Sequence, residues 1–242
     1  MSKWTRSSRS RADPLDPGPA GFAHRGLHAG FESPENSIAA FEAALEIGAG
    51  IECDLRLTAD AHVVVFHDHD AMRLCGSPHR ISRSTIADVS ALRVANRSIP
   101  TLTNLLELVG GRVPLLLEIK VDRNVRRLAS SLRQALVDYG GPYGLMSFDP
   151  RIVRLIKTQM PDARRGLVIQ DRLTPLRRRV AMRLADPHFI AVERAALAKP
   201  WVAYARAHLP VYSWTIRTAA ERAQAEVHAD ALIWEDDGRS RA

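Results

Sequence analysis

The chain has 242 residues, of which 46% are apolar, 25% charged and 6% aromatic, fractions ordinary for a globular domain. Its 34 Lys and Arg exceed its 27 Asp and Glu by 7, which suits an anionic substrate or partner and says nothing about the fold. No apolar run approaches the ~20 residues of a membrane span, the N-terminus lacks the apolar stretch of a signal peptide, and the two cysteines, Cys53 and Cys75, exclude a disulfide framework. A cytoplasmic protein is expected.

Residues 1–20 carry Arg6, Arg9, Arg11 and Pro17-Gly18-Pro19, and are expected to form a disordered basic tail. From 21 to 242, short apolar runs alternate with amphipathic stretches, the pattern of parallel strands joined by helices in one domain. Strands are expected at 21–24, 49–57, 114–120, 143–148, 165–170, 188–193, 210–216 and 230–235. The clearest helix spans 37–47, where Ile38, Phe41 and Leu45 share a face, Asn36 serves as N-cap and Gly48 as stop. Others are expected around Leu105 and Leu108, at 125–136, 152–156, 176–184 and 196–207. Eight strands, each but the last followed by a helix, predict an α/β fold of the (β/α)8 TIM-barrel kind. Two regions depart from a plain barrel. Within 49–67, two apolar runs are separated only by Thr58-Ala59-Asp60-Ala61. That spacing is too short for a parallel crossover, so a β-hairpin arm follows the second strand. Residues 68–100 are polar and weakly periodic, which predicts a small insertion over one barrel end.

Alternation along 49–57 puts Glu52 and Asp54 on the inner face and Cys53 and Leu55 on the outer one. Two buried carboxylates without a counter-charge are costly, so a cation has to be supplied, by Arg or Lys or by a metal. If the hairpin turns near residue 60, paired positions sum to 119 and His67 faces Glu52. Glu118 and Lys120 share a face at the C-terminal end of the third barrel strand, where barrel active sites sit. Three carboxylates with no thiol or imidazole required suit a hard, oxygen-seeking ion such as Mg2+ or Ca2+. At the end of the first strand, His24-Arg25-Gly26 offers an imidazole, a planar fork for phosphate and a residue free to turn sharply. Two imidazoles can act as general acid and base, while cations neutralise a diester phosphate. The combination reads as phosphodiester hydrolysis.

His24-Arg25-Gly26, Pro34-Glu35-Asn36-Ser37, Glu52-x-Asp54, His67-Asp68, Ile99-Pro100-Thr101-Leu102, Glu118-Ile119-Lys120, Ser147-Phe148-Asp149 and Trp214-Thr215 occur in this order. As an ordered set, from about Gly21 to about Glu235, they resemble the glycerophosphodiester phosphodiesterase family. The resemblance implies a TIM barrel in which Glu52, Asp54 and Glu118 ligate one divalent ion. It implies His24 and His67 as the acid–base pair, Arg25 and Lys120 beside the phosphate, and 68–100 as the family's insertion. Three positions depart from the family pattern: Ser37 stands where Thr is usual, Arg217 where Asn is commoner, and Trp234-Glu235 where the chain usually ends on Thr-Asp. These are expected at the substrate rim, away from the ligands. Trp214 is a candidate apolar wall for the glycerol.

The expected activity is metal-dependent hydrolysis of a small-molecule glycerophosphodiester to sn-glycerol 3-phosphate and an alcohol. The alternatives are a lysophospholipase D acting on lysophospholipids, and a non-catalytic Arg-rich protein binding anionic surfaces or nucleic acid. The second leaves the inward carboxylates unexplained, and with no nucleic-acid motif present no nucleic-acid partner is expected. Over 174–184, Leu176, Val180 and Leu184 fall on one side, with Arg177, Arg178, Arg179 and Arg183 on the rest. This reads as an outer barrel helix with a charged solvent face, or as a weak contact with an anionic membrane surface.

Overall fold

The eight apolar runs are strands of one closed sheet. In the computed structural model, which describes residues 13, 15–120 and 125–240, the strands are β1 (Phe22–His24), β2 (Gly50–Leu57), β3 (Val63–Val65), β4 (Arg93–Val94), β5 (Arg97–Ser98), β6 (Leu115–Ile119), β7 (Tyr143–Ser147), β8 (Arg164–Ile169), β9 (Phe189–Glu193), β10 (Val211–Ile216) and β11 (Ala231–Trp234). Strands β1, β2 and β6 to β11 are parallel, and the barrel closes because β1 pairs with both β2 and β11. The helices are α1 (Ile38–Glu46), α2 (Met72–Cys75), α3 (Ile86–Ala91), α4 (Leu102–Val109), α5 (Val125–Leu136), α6 (Pro150–Gln159), α7 (Pro175–Ala185), α8 (Pro200–Arg206) and α9 (Ala219–Glu226). This is the expected TIM barrel.

Strand alternation divides the core into two shells. Outward side chains such as Cys53, Leu55, Leu117 and Ile119 pack against Phe41, Leu105, Leu132 and Ile156 of the helices. Inward ones such as Phe22, Leu116, Met146, Val168, Tyr212 and Ile233 fill the barrel. Glu52, Asp54 and Glu118 share the inward parity, so burial of the flanking apolar residues fixes where the carboxylates point. No helix among the described residues is long and apolar enough to cross a membrane.

Several expectations need correction. The helix at 37–47 is capped by Ser37, whose hydroxyl accepts from the Ala40 N–H at 3.2 Å, and not by Asn36. Asn36 instead adopts a left-handed backbone, φ 57°, and turns its amide inward. The hairpin exists, but Leu55 pairs with Val65, so paired positions sum to 120 rather than 119, and the ladder ends before His67. His67 thus reaches the site from the turn after β3. The insertion is less polar than expected, because Ile81, Val89, Val94 and Ile99 bury themselves with Val64 and Phe66 in a small core of their own. Its elements are two to six residues long, too short to show a period.

Residues 1–12 lie outside the described residues, but the expected tail is too long at its C-terminal end. Leu15 is fully buried among the inward side chains. The neighbouring Asp13 accepts from the Tyr212 hydroxyl at 2.9 Å and from Arg164 at 2.8 Å. Arg164 is the first residue of β8 and Tyr212 the second of β10, so the segment plugs the barrel's N-terminal end. Gly144 makes room for it, since a Cβ there would lie 2.6 Å from Leu15 Cδ1. Leu15→Ala should therefore lower stability by about 2–5 kcal/mol, as for other fully buried leucines. Denaturant unfolding would show it as a lower midpoint at constant slope.

Candidate active site

The strand ends set the site. At the close of β1, Arg25 takes a left-handed backbone (φ 59°) and Gly26 follows at φ 80°. A Cβ on Gly26 would lie 2.8 Å from the Ala40 backbone, so only glycine lets α1 approach this turn. The turn aims the Arg25 N–H at Glu52 Oε2, 3.1 Å away. The inward Asn36 amide donates to Asp54 Oδ2 at 2.8 Å.

Glu52, Asp54 and Glu118 are all buried, and an oxygen from each lies within 4.8 Å of the others. Two cations meet them. Lys120 Nζ lies 2.9 Å from Asp54 Oδ1 and hydrogen-bonds Glu118, and Arg25 Nε lies 3.2 Å from Asp54 Oδ2. Burial favours a protonated Asp54, but Lys120 and Arg25 outweigh it and hold the carboxyl well below its usual range. The other two go the opposite way. Burial, then the charges of Asp54 and Glu118, pushes Glu52 far up. Burial leads again in raising Glu118 to about 7, with Lys120 opposing. Glu52 Oε1 is buried with no hydrogen-bond partner. Asp54 Oδ1 also lacks a hydrogen bond of good geometry, so three acids against two bases, with two carboxylate oxygens short of a donor, form a donor set with room for one divalent cation. The cluster fits such an ion.

Both imidazoles are braced from outside. His24 donates through Nδ1 to Glu235, while its Nε2 lies 3.7 Å from Glu52 Oε2. Glu235 is held in turn by Arg217 Nε at 3.0 Å. Burial favours a neutral Glu235, but the His24 N–H and Arg217 keep its carboxyl down at about 2, so it accepts. His67 Nδ1 donates to Asp68 Oδ1 at 2.7 Å, and the His67 carbonyl accepts from Arg56 at 2.9 and 2.7 Å. Burial lowers the pKa of both imidazoles. One residue of the insertion joins the two sides: Arg73 donates to both oxygens of Glu35, at 2.7 and 2.8 Å, and to Asp68 at 2.6 Å. Glu35 also holds Arg25, at 2.8 Å. A cavity of 310 Å³ opens on these groups, lined by His24, Arg25, Glu52, His67, Glu118 and Lys120. Trp214 and Phe148 close one side of it, ring edge to ring face at 5.4 Å.

A model of the glycerophosphoryl diester phosphodiesterase family matches residues 24–236. The chain belongs to that family. A glycerophosphodiester phosphodiesterase of Caldanaerobacter subterraneus subsp. tengcongensis is 32% identical over 163 residues, 62% of this chain and 66% of that protein. A probable glycerophosphodiester phosphodiesterase 1 of Mycobacterium tuberculosis is 42% identical over 71 residues, 29% of this chain and 25% of that protein. The chain thus aligns with less than two thirds of these relatives' length. The fold is shared more widely. An Oleispira antarctica phosphodiesterase solved with the product sn-glycerol-3-phosphate superposes with a TM-score of 0.80 at 20% identity, covering 90% of this chain and 92% of that one. A Silicibacter pomeroyi family protein gives 0.82 at 21%, covering 93% and 94%.

All eight residues singled out in the sequence meet at this mouth. Seven line the cavity, and Asp54 lies beneath, fully buried against Lys120 and Arg25. Arg217 lies at the rim as expected, exposed and lining the cavity; the placing of Ser37 and Trp234-Glu235 there is corrected, Ser37 being the buried cap of α1. Glu235 and Arg217 form the brace behind His24, while Trp234 is buried and donates to the Ala20 carbonyl at 2.7 Å. Arg56 and Arg73 went unnoticed. Arg56 carried a signal, since it continues the inward parity of Glu52 and Asp54 on the same strand. Arg73 carried none.

Proposed function

We propose that this site hydrolyses glycerophosphodiesters to sn-glycerol 3-phosphate and a free alcohol, with a divalent ion held by Glu52, Asp54 and Glu118 and with His24 and His67 as the acid–base pair. The observation that carries it is the pairing of two outward-braced imidazoles with a buried three-carboxylate cluster on one small cavity. When bound, a divalent ion would neutralise phosphoryl charge and polarise the ester. The product held by the Oleispira antarctica neighbour supports the choice of substrate.

Each imidazole has its Nδ1–H committed to a carboxylate, Glu235 or Asp68, which leaves Nε2 for the substrate. Burial lowers both pKa values, so the free rings rest neutral near pH 7; the anionic diester favours protonation of one of them, and the bound site then holds one neutral imidazole as base and one imidazolium whose Nε2–H serves as acid. One takes the proton of the attacking water or glycerol hydroxyl as the new P–O bond forms; the other gives a proton to the leaving alcohol oxygen as the old bond breaks. Arg25 and Lys120, rigidly paired, face the anionic diester, and Trp214 with Phe148 offers the glycerol an apolar wall. The test is release of sn-glycerol 3-phosphate from glycerophosphocholine and glycerophosphoethanolamine, with Mg2+, with Ca2+ and with chelator. No release under any of these conditions would sink the reading.

One observation favours lysophospholipids as a second substrate class. A groove that includes Glu118 and Lys120 carries an apolar part, Ile119, Phe148, Pro150 and Leu184, beside Ser147, Asp149, Arg151 and Arg177, and that apolar part is what an acyl chain would contact. Each buried CH2 would add roughly 0.8 kcal/mol. In direct competition below micelle-forming concentrations we expect the soluble diester to have the higher kcat/KM. A faster lysolipid, with kcat/KM rising as its chain grows, would reverse that order.

A further inference from the structure

Helix α7 faces the wrong way for an outer barrel helix. Its small residues Ala181 and Ala185 are buried against the barrel, whereas Leu176 and Val180 are 71% and 56% exposed. With Leu184, half-buried, they form a line at i, i+4 and i+8 along the outer surface. Arginines flank the line. Arg177, Arg179 and Arg183 are exposed and, among the described residues, none has a carboxylate within ion-pair distance. Arg178 lies over the Trp201 ring at 4.1 Å. No acidic residue occurs from 172 to 185, and the nearest one beyond, Asp186, is taken by Lys157 at 2.6 Å. The helix starts after the C-terminal end of β8, so its first turn, with Leu176, lies on the mouth side. Arg177 and Leu184 border the groove that leads to Glu118 and Lys120.

We propose that the outer face of α7 is a docking surface for an anionic phospholipid bilayer, which sets the mouth of the barrel at the membrane surface. Unpaired arginines around exposed Leu and Val are complementary to a surface with phosphate outside and hydrocarbon just beneath. A second copy of the chain is a poor occupant, because a two-fold contact would set arginine against arginine. Nucleic acid would supply the phosphates but nothing apolar for Leu176 and Val180, and α7 exposes no aromatic ring to stack on bases. Retention on a membrane requires no turnover, so this surface can fail or hold independently of the substrate reading above.

The experiment is sedimentation of the full chain with phosphatidylcholine vesicles, with and without phosphatidylglycerol, at low and high salt. The protein should bind the anionic vesicles only, and salt should weaken that binding. R179Q/R183Q should reduce it by on the order of 10- to 30-fold, from the usual contribution of a near-surface arginine. L176S/V180S should remove the part that resists salt. All four side chains are exposed, so both variants should keep the wild-type melting temperature and the wild-type turnover of a soluble diester. Equal retention on neutral vesicles, or retention unchanged in both variants, would overturn the proposal. So would tighter, variant-sensitive retention on duplex DNA, or a dimer that L176S/V180S dissociates in the absence of vesicles.

Discussion

Replacing either His24 or His67 by alanine should lower kcat by on the order of 10²- to 10⁴-fold, the range for loss of a general acid or base. Folding should hardly change. His67 is partly exposed in a turn, and its backbone is kept in place by Arg56 through the carbonyl rather than by the ring. His24 ends β1 and packs against polar groups. Steady-state rates at saturating metal, together with melting curves, make the check; full turnover in either variant would make that residue structural. The brace behind His24 predicts a graded series. Glu235→Gln can still accept the Nδ1–H but loses the charge that fixes it, so a smaller loss, roughly 10- to 100-fold, is expected in kcat rather than KM. Glu235→Asp, the shorter acid usual in the family, should recover part of the loss.

Much of this was legible in the sequence because barrel strands are buried on both faces. Runs such as Leu115-Leu116-Leu117 and Phe189-Ile190-Ala191-Val192 therefore declare themselves without ambiguity. The acids stood out for the same reason, as charged residues at inward positions inside apolar runs. What stayed hidden depended on contacts across long sequence separations. Arg73 meets Glu35 over 38 residues, and Glu235 meets His24 over 211; no local pattern marks either. Helix α9 is implied by the strand–helix alternation but takes no bounds from the sequence, since its one buried residue is Ala225, and a helix without large apolar residues has no visible stripe. The same physics misdirects the reading of α7. Where the buried positions are alanines, the large apolar residues trace a stripe that looks like the core face and is the solvent face.

Calorimetry should find one Mg2+ or Ca2+ bound per chain, and Glu118→Ala should abolish that binding. The pH dependence follows from the acids. Glu118 titrates near 7 in the folded protein against about 4.5 for an ordinary glutamic acid, and Glu52 is raised further by burial. Folded-state values above unfolded ones mean that the metal-free fold holds extra protons. The stability these carboxyls allow is complete below about pH 4.5 and is lost as pH climbs through about 7. Metal-free protein should therefore melt at lower temperature at pH 8 than at pH 6, and Glu118→Gln should flatten that slope. Ligation requires the ionised acids, so metal and protons compete. Affinity should fall by up to tenfold per pH unit for each proton displaced as pH drops below about 7. Added metal should raise the melting temperature more at pH 8 than at pH 6, because at 100 times Kd a bound ion contributes about 2.7 kcal/mol and Kd is lower there. Lys120 and Arg25 would then be partly released from Asp54 and free to meet the substrate phosphate. A wild type that binds neither ion, or a Glu118→Ala variant that binds as the wild type does, would leave the three carboxylates as an ion-pair network with Lys120 and Arg25 and nothing more.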